Sequence, residues 1–437
     1  MNIARAFFSL SVLTVLSRVS GFVKVAAFAA FYGRSAEADM FMAIMIIPDL
    51  MYRFLSEGLV ASASVPMFVD LRNDRKGLER SFWTQFWLAV IVGGCLALLL
   101  SVFSGPICRS LTPGFAVEDL ARMQYMWALV SIYIVTGLMA GVQTSLLNAR
   151  LSFAAPAVGP LLVNLAIIAG IFLARGGPVE AIAVATVFGS VLQVIWLFWL
   201  LRRQKLFSPG LKAAMQIDRR VACDFITAVT PVAIWISVLP FIPVYERYLL
   251  SLQETGSVAT LNYAEKLFNL PLGVISISLA HVILPKLSML DNSDRRRFLL
   301  KMFLAATLAI GPVVALILFF SEEMVNLVYQ RGRFSAADAD VASALFRSYS
   351  LALLPVSLSM VLNRGFFAAR DYLKPFFAGL SAAAVQFYLG ARLVGSYGVP
   401  GIGYAAAIAY SAQTLLLLSF LFIKKNGPQQ RPDDLSA

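Results

Sequence analysis

Apolar residues run along this chain in stretches much longer than one face of a surface helix, and the polar residues collect between the runs. About 20 such residues cross a ~30 Å hydrocarbon layer as a helix, with every backbone group satisfied inside the segment. The pattern predicts about twelve spans. They fall near 6–33, 38–70, 81–106, 119–148, 153–174, 179–201, 221–252, 256–289, 298–321, 338–369, 374–394 and 401–423. Several are longer than a straight crossing needs, which predicts tilt, bends or projecting ends. Pro48, Pro66, Pro231, Pro240, Pro243, Pro271, Pro285 and Pro355 mark the expected kinks. The ~10-residue alternation of an outer-membrane barrel is absent. The expected fold class is an all-α polytopic membrane protein.

The pattern also repeats. Leu147-Asn148 precedes a pair of spans as Leu362-Asn363 does later, and Pro66 and Pro285 close corresponding spans. Ile182-Ala183-Val184-Ala185 through Gln193 matches Ile402-Gly403-Tyr404-Ala405 through Gln413 at a constant offset. Two six-helix lobes are expected, 1–205 and 221–425, joined by a cytoplasmic connector, 206–220, and followed by a disordered polar tail, 426–437. A short interfacial helix is expected from Leu211 to Ile217. An even number of spans per lobe makes the repeats parallel, about an axis along the membrane normal, as in transporters that bind between lobes. The alternative is a duplicated scaffold without transport.

Composition agrees with the pattern: 59% of the 437 residues are hydrophobic and 14% charged, with mean hydropathy +0.78. The net charge of +12 raises the question of nucleic acid, but the basic residues sit in alternate connections. Arg72, Arg75, Lys76, Arg80, Arg150, Arg202, Arg203, Lys205, Lys212, Arg219 and Arg220 fall on one side. Lys286, Arg295 to Arg297, Arg370, Lys374, Lys424 and Lys425 join them. The other side has only Arg34, Arg109, Arg175, Arg331 and Arg333. By the positive-inside rule both termini are cytoplasmic, and no nucleic-acid partner is expected. Met1 to Phe8 carries one charge and no cleavage signal, so it reads as the start of the first span. Cys95, Cys108 and Cys223 are scattered and His281 stands alone, so neither a disulfide framework nor a metal site is expected. No Walker-type loop is present, and the short loops offer no catalytic constellation for an enzyme such as a glycosyltransferase.

The candidate chemistry lies in charges within the spans. Between Ser17 and Pro66 stand Arg18, Lys24, Asp39, Asp49, Arg53 and Glu57, and the second half adds Glu246, Arg247, Glu265 and Lys266. A charge at mid-bilayer costs at least ~2.5–3.5 kcal/mol, so such residues face a bundle interior or a wet cavity. Asp49, Arg53 and Glu57, at i, i+4 and i+8, can also form a purely structural ladder. Arg18 and Lys24 are six residues apart, about 120° from a shared face, and a bend at Ser20-Gly21 is expected to bring both inward. Basic residues from both lobes around one cavity suit a diphosphate, which Arg binds bidentately and Lys as a point charge.

At these residues the chain resembles the MviN/MurJ lipid II flippases of the multidrug/oligosaccharidyl-lipid/polysaccharide exporter superfamily. The likeness covers Ser17-Arg18-Val19 with Gly21-Phe22, Ala38-Asp39 with Phe41, Pro48, Arg53, Glu57-Gly58 and Val65-Pro66. It continues through Thr112-Pro113-Gly114-Phe115 and Leu147-Asn148-Ala149 with Phe153, Pro156, Pro160 and Asn164. In the second half it includes Glu246-Arg247, Gly256-Ser257-Val258, Leu261-Asn262-Tyr263-Ala264, Leu270-Pro271-Leu272-Gly273 and Leu284-Pro285. Gly332 with Phe334, Asp338, Phe366-Phe367-Ala368, Asp371 and Pro375 complete it. The resemblance implies a flippase that carries undecaprenyl-diphosphate-linked peptidoglycan precursor across the inner membrane by alternating access. It places the family's cavity cations on Arg18, Lys24, Tyr52 and Lys266 and its acid on Asp39.

The chain departs from the family pattern at Lys24-Val25, where Arg-Asp is usual, at Asp49 for Asn, at Tyr52 for Arg, and at Lys266, often Arg. Fewer guanidiniums weaken bidentate phosphate recognition while keeping positive charge. Many members carry two further C-terminal helices that form part of a lipid-tail groove, and the last span expected here ends near 423.

The expected substrate-binding set is Arg18, Lys24, Asp39, Arg53, Glu57, Arg247 and Lys266. No cofactor is expected, the drive coming from a coupling ion or the membrane potential. The expected partners are the lipid-linked glycan, membrane lipids and the cell-wall synthesis machinery, with the chain itself a monomer. A flippase for an exopolysaccharide or O-antigen glycan is the alternative, and a cation-coupled drug exporter is a weaker one.

Overall fold

In the computed structural model the described residues are 3–52, 55, 60–152, 156–204, 217–236, 241–277, 279, 283, 287, 290, 292–369 and 371–422. Among them the chain is helical, with eight stretches long and apolar enough to cross a membrane and a shorter one at Val158–Ala174. His281, Pro240, Pro285, residues 211–216 of the expected interfacial helix and the tail 426–437 lie outside the described residues.

The first half comprises α1 (Ile3–Tyr32), α2 (Ala36–Met51), α3 (Ala61–Asp70), α4 (Arg75–Val102), α5 (Ser104–Leu111), α6 (Val117–Val130), α7 (Ile132–Ala149), α8 (Val158–Ala174) and α9 (Glu180–Arg203). The second comprises α10 (Arg219–Ile236), α11 (Phe241–Ser251), α12 (Ser257–Pro271), a π-helical stretch (Leu272–Ile277), α13 (Asn292–Tyr329), α14 (Ala336–Ser350), α15 (Leu353–Ala368), α16 (Leu373–Tyr397) and α17 (Gly401–Phe422).

Local signals set these boundaries. Ser35 caps α2, Ser335 and Asp338 form a reciprocal capping box on α14, and Asp74 caps α4. Pro48, Pro66 and Pro355 lie inside α2, α3 and α15, while Pro271 ends α12 where the π-helical stretch begins. One kink had no proline to announce it. Phe320 leaves helical geometry at φ −115° and ψ 20°, where the expected span 298–321 ends, and α13 resumes to Tyr329.

The helices pack in a similar order in the two parts of the chain. In the first half α4 packs on α7, α7 on α9, α9 on α8, and α8 on α1. In the second, α13 packs on α15, α15 on α17, α17 on α16, and α16 on α11. The paired stretches Val117–Ala149 and Ala336–Ala368 are each 33 residues long and are the most buried of the candidate spans. α10, which opens the second half in sequence, packs on α3 and α4 of the first, with Phe225 among Phe68, Leu78 and Phe82. Large apolar side chains such as Leu98, Phe172, Leu173, Leu308, Phe319 and Leu415 remain exposed. That is the surface a hydrocarbon solvent requires.

Where the halves meet, the turns after α1, α11 and α13 interlock; we call this the junction end. The last turn of α9 with Arg202, the first turn of α16 with Lys374, and the ends of α7 and α10 flanked by Arg150 and Asp218 lie at the opposite, basic end.

Candidate substrate cavity

Between the halves, on the basic side of the junction, lies a cavity of ≈170 Å³. Lys24 reaches it from α1, Asp49 from α2 and Tyr52 from just past the end of α2. Tyr133 of α7, Asn164 of α8, and Thr186 and Gln193 of α9 add neutral groups. Arg247 of α11, and Asn262 and Lys266 of α12, face them from the second half. Asn262 and Lys266 share a helical face at i and i+4. Three predicted site residues, Lys24, Arg247 and Lys266, therefore meet at one space.

Their settings differ. The Arg247 side chain is 6% exposed, and its guanidinium donates to both oxygens of Glu265 at 3.2 and 2.6 Å and to the Pro243 carbonyl at 3.1 Å. A bidentate acid holds this charge in place as the bilayer interior demands. Its buried Nε–H is left without a partner, as is the Asn262 side-chain oxygen. Lys24 and Lys266 are only partly buried. Glu246, beside Arg247, turns into the second half and accepts from Gln386 Nε2 at 2.9 Å and from the Tyr349 hydroxyl at 3.3 Å.

The floor of the cavity is apolar. Phe28 and Phe41 line it with ring centroids 5.3 Å apart, and Phe28 stacks on Tyr32 at 4.8 Å. Below this plug lies the junction. Asp39 of α2, 3% exposed, accepts from the backbone N–H of Gly256 at 2.6 Å and of Ala259 at 2.7 Å. It caps the start of α12, which Gly256 has no side chain to do. Gly256 sits at φ +92°, and a Cβ there meets Arg34 at 2.5 Å, so glycine is required by both conformation and contact. Around it Arg34 donates to Thr260 at 2.9 Å, the Tyr263 hydroxyl to the Gly33 carbonyl at 2.8 Å, and Arg333 N–H to the Ala30 carbonyl at 2.7 Å.

Other predicted residues lie elsewhere. Arg18 is exposed and does not line the cavity; its guanidinium lies 3.3 Å from where a Cβ on Gly273 stands, beside the π-helical stretch. The expected bend at Ser20-Gly21 is not there, because α1 continues unbroken. Ser20 donates to the Ser17 carbonyl at 2.8 Å, and Asn164 donates to Ser20 Oγ at 3.0 Å. With the helix intact, a six-residue spacing sends Arg18 and Lys24 in different directions. Asp39 is at the junction and not at this cavity. Arg53 and Glu57 lie outside the described residues, so of the ladder only Asp49 is placed, on the cavity wall.

Sequence reasoning passed over the neutral wall. Tyr52 stacks on Tyr133 with centroids 5.3 Å apart and planes at 15°, and Gln193 donates to the Tyr52 hydroxyl at 3.2 Å. Gln193 was visible only as a repeat marker paired with Gln413, although a glutamine inside an apolar span is itself a signal.

The chain matches, over residues 28–431, the family model described as Lipid II flippase MurJ. The chain belongs to the MurJ family. Asp39, Asp49, Arg247 and Lys266 lie within the matched segment, whereas Arg18 and Lys24 precede it. The protein named Probable lipid II flippase MurJ in Borreliella burgdorferi is 26% identical over 418 residues, 94% of this chain and 82% of that protein. A solved structure of lipid II flippase MurJ in an inward closed conformation superposes with TM-score 0.83 at 22% identity, over 94% of this chain and 87% of that one. An inward-facing multidrug-resistance transporter of the MATE family superposes with TM-score 0.75 at 13% identity, over 95% and 97%. Family and candidate spans together make this a multi-pass protein of the bacterial inner membrane.

Proposed function

We propose that this protein moves lipid II across the inner membrane as a transporter, without covalent chemistry of its own. Membership of the MurJ family supports the reading. The observation that carries it is the convergence of Lys24, Arg247 and Lys266, from three helices and both halves of the chain, on one cavity. By the positive-inside rule the basic end is cytoplasmic, as are both termini, and the junction is the periplasmic seal.

In the proposed cycle the head enters from the cytoplasmic side while the polyprenyl tail stays in lipid. Lys24 and Lys266 meet the diphosphate as point charges, and Arg247, held by Glu265, adds a fixed positive field. The cavity is smaller than the ~300–1,000 Å³ that encloses a drug-sized ligand. A disaccharide head is therefore admitted only as the halves separate. Binding must favour the closing state over the open one for the cycle to advance. No cofactor takes part in this scheme; the membrane potential, worth ~2.3 kcal/mol per unit charge per 100 mV, or a coupled ion supplies the drive. A cationic drug is a poor fit, because among the described residues Lys24, Arg247 and Lys266 outnumber Asp49 and the already paired Glu265.

The test is rescue of cells depleted of their lipid II flippase. Growth with the wild-type gene, lost in Lys24→Gln and Lys266→Gln variants that insert normally, supports the proposal. Failure of the wild type despite correct insertion points instead to another polyprenyl-diphosphate-linked glycan.

A further inference from the structure

The two walls of the cavity differ in chemistry, and we infer that the first-half wall formed by Tyr52, Tyr133, Thr186, Gln193 and Asp49 is a carbohydrate subsite for the sugar attached to the diphosphate. This rests on the flippase reading and deepens it. Arg247 and Lys266 put positive charge on the second-half wall, and Lys24 of α1 adds a cation from the first half. The wall built from α2, α7 and α9 contributes no cation among the described residues and does contribute the Asp49 carboxylate. Like charges near low-dielectric walls repel strongly, so a diphosphate sits away from Asp49 and against Arg247 and Lys266. Whatever is bonded to the outer phosphate then lies along the opposite wall.

That wall has the two features a pyranose ring needs. A pyranose presents an apolar C–H face and an edge of hydroxyl groups. Tyr133 stacks against the Tyr52 ring and holds it as an apolar plate on the cavity wall, and Gln193 fixes its polar edge through the Tyr52 hydroxyl. Gln193 itself is wedged where Gly159 leaves room: a Cβ on Gly159 meets Gln193 side-chain atoms at 2.9 Å. Asp49 offers a carboxylate that accepts from sugar hydroxyls or an acetamido N–H.

The experiment is equilibrium binding by the purified full chain of two probes, undecaprenyl diphosphate without sugar and lipid II. The wild type is expected to prefer lipid II by about tenfold, the equivalent of one or two hydrogen bonds and a stacked ring. Tyr52→Leu is expected to erase most of that preference while leaving affinity for the bare diphosphate unchanged. Tyr52→Phe, which keeps the plate and loses only the hydroxyl, is expected to lose about two- to threefold. Lys266→Gln is expected to weaken both probes alike. Equal weakening of both probes by Tyr52→Leu, or an intact preference in that variant, overturns the subsite and leaves the flippase reading standing. Binding of neither probe by the wild type overturns both. Because Tyr52→Phe removes a single oxygen, a collapse of Tyr52→Leu leaves the phenylalanine variant to decide: an unchanged preference there overturns the subsite.

Discussion

The junction and the cavity belong to the same interface between the halves of the chain, and both contain ionisable groups that a bilayer disfavours. At the junction Asp39 finds its partners in two backbone N–H groups and Arg34 in Thr260. At the cavity the wall keeps unmet hydrogen-bonding capacity at Arg247 Nε and Asn262 Oδ1. An intramembrane charge is thus structural where the protein completes its shell and available for a ligand where it does not. The same residue type in the same kind of sequence serves either purpose.

The widest separation is expected from paired substitutions at the cavity. Lys24→Gln with Lys266→Gln should lower lipid II transport in vesicles by about a hundredfold, each lost charge-assisted contact being worth about tenfold. Thermal unfolding of the same variant should fall far less than its transport. A matching drop in stability would mean these lysines are structural and would erase the contrast with the junction. Next comes Asp39→Ala, which removes the cap on α12 and leaves two buried N–H groups unsatisfied. It should destabilise by about 2–3 kcal/mol, read as a lowered midpoint of thermal unfolding. Unaltered stability would show that Asp39 belongs with the cavity group.

The smallest effect sharpens the contrast from outside the membrane. Asp218 precedes α10 and accepts from the backbone N–H of Arg220 at 2.9 Å and of Val221 at 3.3 Å, with Arg80 3.4 Å away. The Val221 N–H above all, then the Arg220 N–H and the Arg80 guanidinium, hold its carboxyl below the usual 3.8, against a smaller opposing effect of burial. A carboxyl lowered on folding stabilises above its unfolded value, and that contribution disappears as pH falls through the folded one. A slight loss of stability in acid, starting near the ordinary Asp value, is expected in the wild type and should be absent from Asp218→Asn. Asparagine keeps the cap and removes the titration.

How much of this was legible beforehand varies with the kind of force involved. The membrane-spanning, all-helical character was readable because it depends on local composition and on 20-residue sums that no single contact alters. The site was legible only in part. Arg18 and Lys24 look alike in sequence, and what separates them is that α1 runs straight through Ser20-Gly21, tied to α8 by Asn164. The family resemblance expects an arginine at Tyr52, so a search for cations skipped the aromatic plate that Tyr52 makes with Tyr133. The kink at Phe320 carries no proline, so no residue type announced it.

The amino-acid sequence by itself determined that this chain lives in a membrane as an all-helical protein, and which charges it risks inside. Partition between water and hydrocarbon is decided residue by residue, so these properties need no knowledge of the fold. Only the tertiary structure decided the fate of each charge. Asp39 is satisfied by backbone groups 217 and 220 residues away. Lys24 and Lys266 are brought to one cavity from opposite halves. Hydrogen-bond partners across such distances are chosen by helix packing, and until the helices pack, a carboxylate that locks an interface cannot be told from a residue that waits for a substrate.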